Sequence, residues 1–115
     1  MATVRITSGK VVNVPVNGAA TTTTTATTGN GIYKDSPYTA IQANVVGTGA
    51  VTATVVIDCS NDGINWNTTA LGTISLSGTT SAADGFTTTA PWKYIRARVT
   101  AISGTGATVN CLAGV

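Results

Sequence analysis

The chain has 115 residues, the size of one compact domain, and only 9% are charged, against about 25% in an ordinary soluble domain. It contains no His and no Glu, which excludes a Ser-His-Asp triad, a histidine metal site and histidine acid–base chemistry. A net charge of +2 is too weak to argue for nucleic acid as a partner.

Thr occupies 24 positions and Leu three, so stiff β-branched residues dominate and amphipathic helices have little to be built from. A hydrophobic share of 43% is enough for a core, and disorder is expected at most in one local segment. No apolar run approaches the roughly 20 residues of a membrane helix, so no membrane partner is expected. Met1-Ala2-Thr3-Val4-Arg5 lacks the apolar stretch of a signal peptide, which predicts synthesis and folding in a cytoplasm.

In chain order, Thr3–Thr7 and Val11–Val16 are short β-like runs around Ser8-Gly9-Lys10, the length of a hairpin loop. Pro15 cannot donate to a ladder, so the second run belongs at an edge or against a partner chain. Residues 17–31 hold the low-complexity run Thr21, Thr22, Thr23, Thr24, Thr25, Ala26, Thr27, Thr28, which has no charge and no large apolar group. It reads either as a flexible connector or as an arm that becomes a strand once docked. The expected division is an N-terminal arm or edge-strand segment over 1–31 and a β-sandwich domain over 32–115.

Beyond that segment the alternation is regular. Tyr38–Val46 places Ile41, Ala43 and Val45 on one face, and Gly47-Thr48-Gly49 turns the chain. Ala50–Cys59 then sends Val51, Ala53, Val55, Ile57 and Cys59 inward. Ser60-Asn61-Asp62-Gly63 is a tight turn, Ile64–Thr68 returns, Leu71–Ser77 follows, and 78–85 reads as a loop. Trp92–Ile102 is the longest strand, Ser103-Gly104-Thr105-Gly106 a turn, and Ala107–Leu112 the last strand. Residues 46–55 and 102–109 echo one another as strand, Gly-x-Gly and strand, which is turn chemistry used twice. Seven or eight short strands between turns predict an all-β, antiparallel β-sandwich, jelly-roll-like, with an extended N-terminal arm.

Chemistry has few places to reside. Asp35, Asp58, Asp62 and Asp84 read as solvated aspartates, and no spacing singles out a catalytic pair. The acids are too few for a calcium cage at Asn61-Asp62-Gly63. Cys59 and Cys111 fall on the apolar phase of their strands and read as buried thiols without a histidine base, able to pair outside the cell only if their strands are neighbours. No enzyme, no cofactor and no metal are therefore expected.

Two surfaces remain. In Ala90-Pro91-Trp92-Lys93-Tyr94-Ile95-Arg96-Ala97-Arg98 one face is aliphatic, and the other carries Trp92, Tyr94, Arg96 and Arg98. That face has the composition of a partner-contact hot spot; alternatively the aromatics cover the end of the sandwich while Arg96 or Arg98 pairs with Asp58. Asn61, Asp62 and Trp66 read either as a glycan site, with the indole stacking on a sugar, or as a hairpin closure with Trp66 packed over the mouth.

The runs Val55–Trp66, Leu71–Phe86 and Ala90–Ala107 resemble small virion proteins of tailed bacteriophages, those described as structural, cement or head-decoration proteins. The resemblance spans roughly residues 38 to 112 and leaves 1–31 uncovered. It implies a non-enzymatic protein on the capsid exterior, partnered by the major capsid protein and by itself as a dimer or trimer. Residues 1–31, notably Thr21–Thr25, and the Trp92/Tyr94/Arg96/Arg98 face are the expected contact surfaces, the arm acting by strand addition. A carbohydrate-binding module on the virion and a tail or head-tail adaptor component are the alternatives.

Overall fold

The structure, a computed structural model, describes residues 4–6 and 9–115. The ends of the expected Thr3–Thr7 run and Ser8 fall outside these. Seven strands form over the described residues: β1 (Val4–Ile6), β2 (Val11–Val14), β3 (Thr22–Thr23), β4 (Ile32–Lys34), β5 (Thr39–Ser60), β6 (Gly72–Thr88) and β7 (Tyr94–Gly114). Among the described residues there is no helix, so none is long and apolar enough to cross a membrane. The all-β class predicted from the Val, Ile and Thr content is what folds.

All strands belong to one sheet, ordered β1-β4-β7-β5-β6, with β2 and β3 also paired to β7. The sheet is mixed, because β1 pairs with β4 in parallel at Val4–Ile32, Arg5–Tyr33 and Ile6–Lys34. The expected β1–β2 hairpin therefore does not form: β2 runs antiparallel to the end of β7 instead. Pairing there sends Val14 and the following Val16 into the core, both fully buried, and among the described residues β2 pairs with β7 alone. Pro15, just past the strand, removes a donor where no ladder needs one.

Three long strands replace the expected short ones. Gly47-Thr48-Gly49 and Ser103–Gly106 lie inside β5 and β7, and the predicted 78–85 loop lies inside β6. A straight β5 of 22 residues would reach about 70 Å at strand rise, yet the longest axis of the molecule is 38 Å. Phe86, near the end of β6, lies against Gly72 at its start, where an added Cβ would sit 2.5 Å from the ring. The five-residue link 89–93 also joins the end of β6, opposite Thr39, to the start of β7, opposite Ser60. The long strands thus double over, bringing the two halves of the sheet face to face.

The fold line crosses all three strands at one level. Register shifts fall between Val46 and Ala50 against β6, and between Val46 and Thr52 against β7. Gly49, Gly104 and Gly106 take positive φ there, as the Gly-x-Gly echo allows. Turn chemistry is indeed used twice, but to bend continuous strands and not to end them. Thr80 shares the line at φ 67, a costly conformation for a β-branched residue. Thr80→Gly is expected to stabilise the protein by about 0.5–1 kcal/mol, since relief of strain exceeds the added chain entropy. A lower midpoint in urea would count against strain at this position.

The core lies between the halves. Ile41, Ala43, Val45, Val51, Ala53, Val55 and Ile57 of β5 join Ile74, Leu76, Ile95, Ala97, Val99, Val109 and Cys111 in one buried cluster. A bulge at Thr100, where β5 steps from Thr54 to Val55 while β7 steps from Ala101 to Val99, reverses the alternation. Ala101 is consequently exposed and Ile102 packs on the core.

The threonine-rich segment is docked on its own chain. Thr22 and Thr23 pair with Asn110 and Val109, and Thr28 bridges Arg98. Thr23 is buried, while Thr27 Oγ1 donates to Val16 O at 2.7 Å. Gly29 crosses the backbone of Pro15 with no room for a side chain, an added Cβ falling 1.7 Å from the Pro15 carbonyl oxygen. Of the two readings of this segment, the docked strand is the one observed.

Candidate functional site

One end of the doubled sheet gathers most of the charged and aromatic side chains. Register alone aligns Arg5, Tyr33, Tyr94 and Ser60 across β1, β4, β7 and β5. The guanidinium of Arg5 lies 5.0 Å from the Tyr33 ring centre, and Tyr33 meets Tyr94 edge-on at 5.3 Å. Arg5 is anchored by Asp35 at 2.6 Å, and this pairing raises the Arg5 pKa.

The next row pairs Arg96 with Asp58. Asp58 is on the outward face, as its place in the alternation requires, but it is not solvated: only 2% of it is exposed. Arg96 Nε donates to Oδ2 at 2.9 Å, and Arg98 donates through Nε at 3.1 Å and through Nη2 to Oδ1 at 3.1 Å. Burial by itself would raise the carboxyl pKa, but hydrogen bonds and charge from both arginines outweigh it and hold it below the usual carboxylate range. The anticipated cross-strand pairing is therefore present with both arginines at once. Arg96 also stacks on Trp66, its guanidinium 4.6 Å from the ring centre.

The 60–66 turn is built by side chains, and Ile64–Thr68 is not a strand. Ser60 Oγ accepts from the Gly63 amide at 3.0 Å. Asp62 Oδ1 accepts from the amides of Ile64 and Asn65 at 2.9 and 2.8 Å, and Oδ2 accepts from Asn65 Nδ2 at 2.9 Å. Those bonds, Asn65 foremost, hold Asp62 far below the ordinary carboxylate pKa. Asn61 Oδ1 accepts from the Lys93 amide at 3.3 Å, so Asn61 and Asp62 are both engaged in closing the turn. The turn sets Gly63 under the Tyr94 ring and leaves a concavity of about 430 Å³ lined by Thr28, Asn30, Asp62, Trp66, Tyr94 and Arg96.

The two predicted surfaces meet in part: Tyr94 and Arg96 line the same hollow as Asp62 and Trp66, while Arg98 and Asn61 do not line it. Trp92 is apart from them. It precedes the first residue of β7 and lines a separate hollow of about 410 Å³ with Cys59, Asn67 and Leu71. Thr21, Thr22, Thr24 and Thr25 are exposed beside β7's second half, on the other part of the chain from Arg96. Cys59 and Cys111 are free and buried, and burial pushes the Cys111 thiol up to about 12. No group of three His, Cys, Asp or Glu side chains placed to hold a metal occurs among the described residues.

Three contributors were not singled out by sequence: Arg5, Tyr33 and Lys34. Lys34 is 1% exposed, and its Nζ donates to the carbonyls of Ser36 at 3.1 Å and Ala90 at 3.0 Å. Burial first, and the charge of Lys93 second, lower its pKa. The ammonium ties the 89–93 link to β4, which fixes the start of β7 and so the position of Tyr94. The only available signal was alternation: Ile32 and Lys34 share a phase.

Comparison with protein-family models, with curated proteins and with solved structures gives no match. The geometry itself is a belt of arginines and aromatic rings at one end of the sheet. Its arginines and aromatics are held against one another by ion pairs and stacking, with their outer edges in solvent.

Proposed function

We propose that this chain is a non-enzymatic structural protein of a tailed-bacteriophage virion, a decoration or cement protein that binds the capsid exterior and bridges capsomers. Its partners in this reading are the major capsid protein and further copies of itself. The doubled sheet serves as a β-sandwich of jelly-roll-like shape, a rigid scaffold for contacts repeated over a lattice.

The observation that carries the reading is the belt of Arg5, Tyr33, Tyr94, Arg96 and Trp66. Half-exposed Tyr, Trp and Arg on rigid strands have the composition and low conformational freedom of interface anchors. The exposed hydroxyls of Thr21, Thr22, Thr24 and Thr25 are a second contact strip, used in place because the arm is already paired.

Expanded heads stripped of decoration protein should bind the purified chain stoichiometrically in co-sedimentation. Arg5→Ala combined with Tyr94→Ala should weaken that binding by about tenfold or more while leaving the β-sheet circular dichroism intact. A chain that ignores expanded heads, or that assembles into tubes or rings, would overturn the reading in favour of a tail or adaptor component. The carbohydrate reading has one supporting observation, the polar hollow beside Trp66. Against it, Arg96 already covers an indole face and the Asp62 oxygens are engaged within the turn. Glycan-array binding lost on Trp66→Ala would favour it.

A further inference from the structure

β6 ends the sheet. Among the described residues only β5 pairs with it, so one side of a 17-residue strand carries open backbone donors and acceptors. Natural edges of this length are usually guarded by Lys, Pro or inward charges. β6 contains no Pro, no Lys and no Arg, and Asp84 is its one charge. That charge guards only the second half, where its Oδ1 accepts from the Gly85 amide at 2.8 Å. The first half, Gly72 to Gly78, is unguarded.

We propose that this half-strand pairs antiparallel with the same segment of a second copy, about a two-fold axis through Ser75. The segment matches itself in that register. Ile74 falls opposite Leu76, each buried in its own subunit, so the inward faces stay on one side of the joined sheet. Thr73 falls opposite Ser77, both exposed, as a hydroxyl pair of the kind that stabilises neighbouring strands. Gly72 meets Gly78, and no charge opposes a like charge. A one-residue slip would set Ile74 against an outward Ser75 and turn the second core to the wrong side. The two-fold also consumes the edge on both copies, which gives a closed dimer and not a filament. The inference rests on the homo-oligomer part of the reading above and supplies its geometry.

Ser75 is exposed and sits opposite itself, which makes the test specific. In analytical ultracentrifugation to millimolar concentration, the full chain should reach the mass of two copies. Ser75→Lys and Ser75→Glu should each sediment as one copy with unchanged circular dichroism, and an equimolar mixture should recover the two-copy mass. A full chain that stays at one copy overturns the proposal, as does a dimer that either substitution leaves intact. Failure of the mixture to recover the dimer rules out the register through Ser75. Head binding measured on the same preparations separates the two ideas: a monomer that still decorates heads ends this proposal and leaves the decoration reading standing.

Discussion

Gly29→Ala is expected to cost more than about 3 kcal/mol, because the new methyl group collides with backbone and not with a movable side chain. The added Cβ would lie 1.7 Å from the oxygen and 2.2 Å from the carbon of Pro15, and 2.6 Å from the Val16 nitrogen. Relief requires the 15–16 backbone to move away by more than an ångström. That backbone delivers Val14 and Val16 to the core and accepts the Thr27 hydroxyl. Gly29 is meanwhile fixed on the other side, its amide donating to Ala97 O at 2.9 Å. The collision therefore pulls β2 from the core or the Thr-rich segment from β7. For a domain of this length the loss is a large fraction of an expected total of about 6–17 kcal/mol. Gly18→Ala is the control: φ is +56 but nothing lies within 4 Å, so only backbone strain of about 1–2 kcal/mol applies. Urea titrations that rank the two variants equally would refute the close packing of Pro15 on Gly29.

The contrast shows what kind of information the sequence carries. Alternation is local, so Ile41, Ala43, Val45, Val51, Ala53, Val55, Ile57, Cys59, Ile95, Ala97 and Val99 were legible as inward and are buried, whereas Lys93 and Ala101, in the same phase as Ile95, are exposed. Whether Gly47-Thr48-Gly49 ends a strand or bends one is not local. It depends on residues 79–81 and 104–106 arriving at the same level, which only long-range pairing decides. Pairing of β1 with β4 escaped for a similar reason, since strands of three residues hold too little pattern to announce a partner.

The site divides in the same way. Tyr94, Arg96 and Trp66 were legible as candidate surface residues, and Asp58 as the partner of an arginine. The meeting of Tyr94, Arg96 and Trp66 around one hollow was not, because the 60–66 turn that carries Trp66 to Arg96 is shaped by Ser60 and Asp62 side chains. Alternation could place Lys34 in phase with Ile32 but not say what holds it there: its ammonium is satisfied by the carbonyls of Ser36 and Ala90, and carbonyls leave no mark in composition.

Asp58→Asn should be the most costly single change of charge, because one buried carboxylate holds two arginines and, through Arg96, the indole of Trp66. Removing one partner of a fully buried pair costs about 3–5 kcal/mol. Here the side chains of Arg96 and Arg98 are 26% and 39% exposed, so water compensates them in part. A loss of about 2 kcal/mol at pH 7 is the expected result. The pH dependence follows from the direction of the shift. A carboxyl held below its ordinary pKa adds stability that is present above the unfolded value of about 4 and is lost as pH falls through the folded value. Wild type and Asp58→Asn should therefore differ fully near neutrality and converge in stability as the pH falls through the folded value. Release of Arg96 should change Trp66 fluorescence at neutral pH before any global unfolding, read in a Trp92→Phe background where Trp66 is the single tryptophan. Parallel stability curves from neutral to acid pH would show that Asp58 does not hold the belt together. A converging pair with altered Trp66 emission ties the rigidity of the arginine–aromatic belt to that one carboxylate.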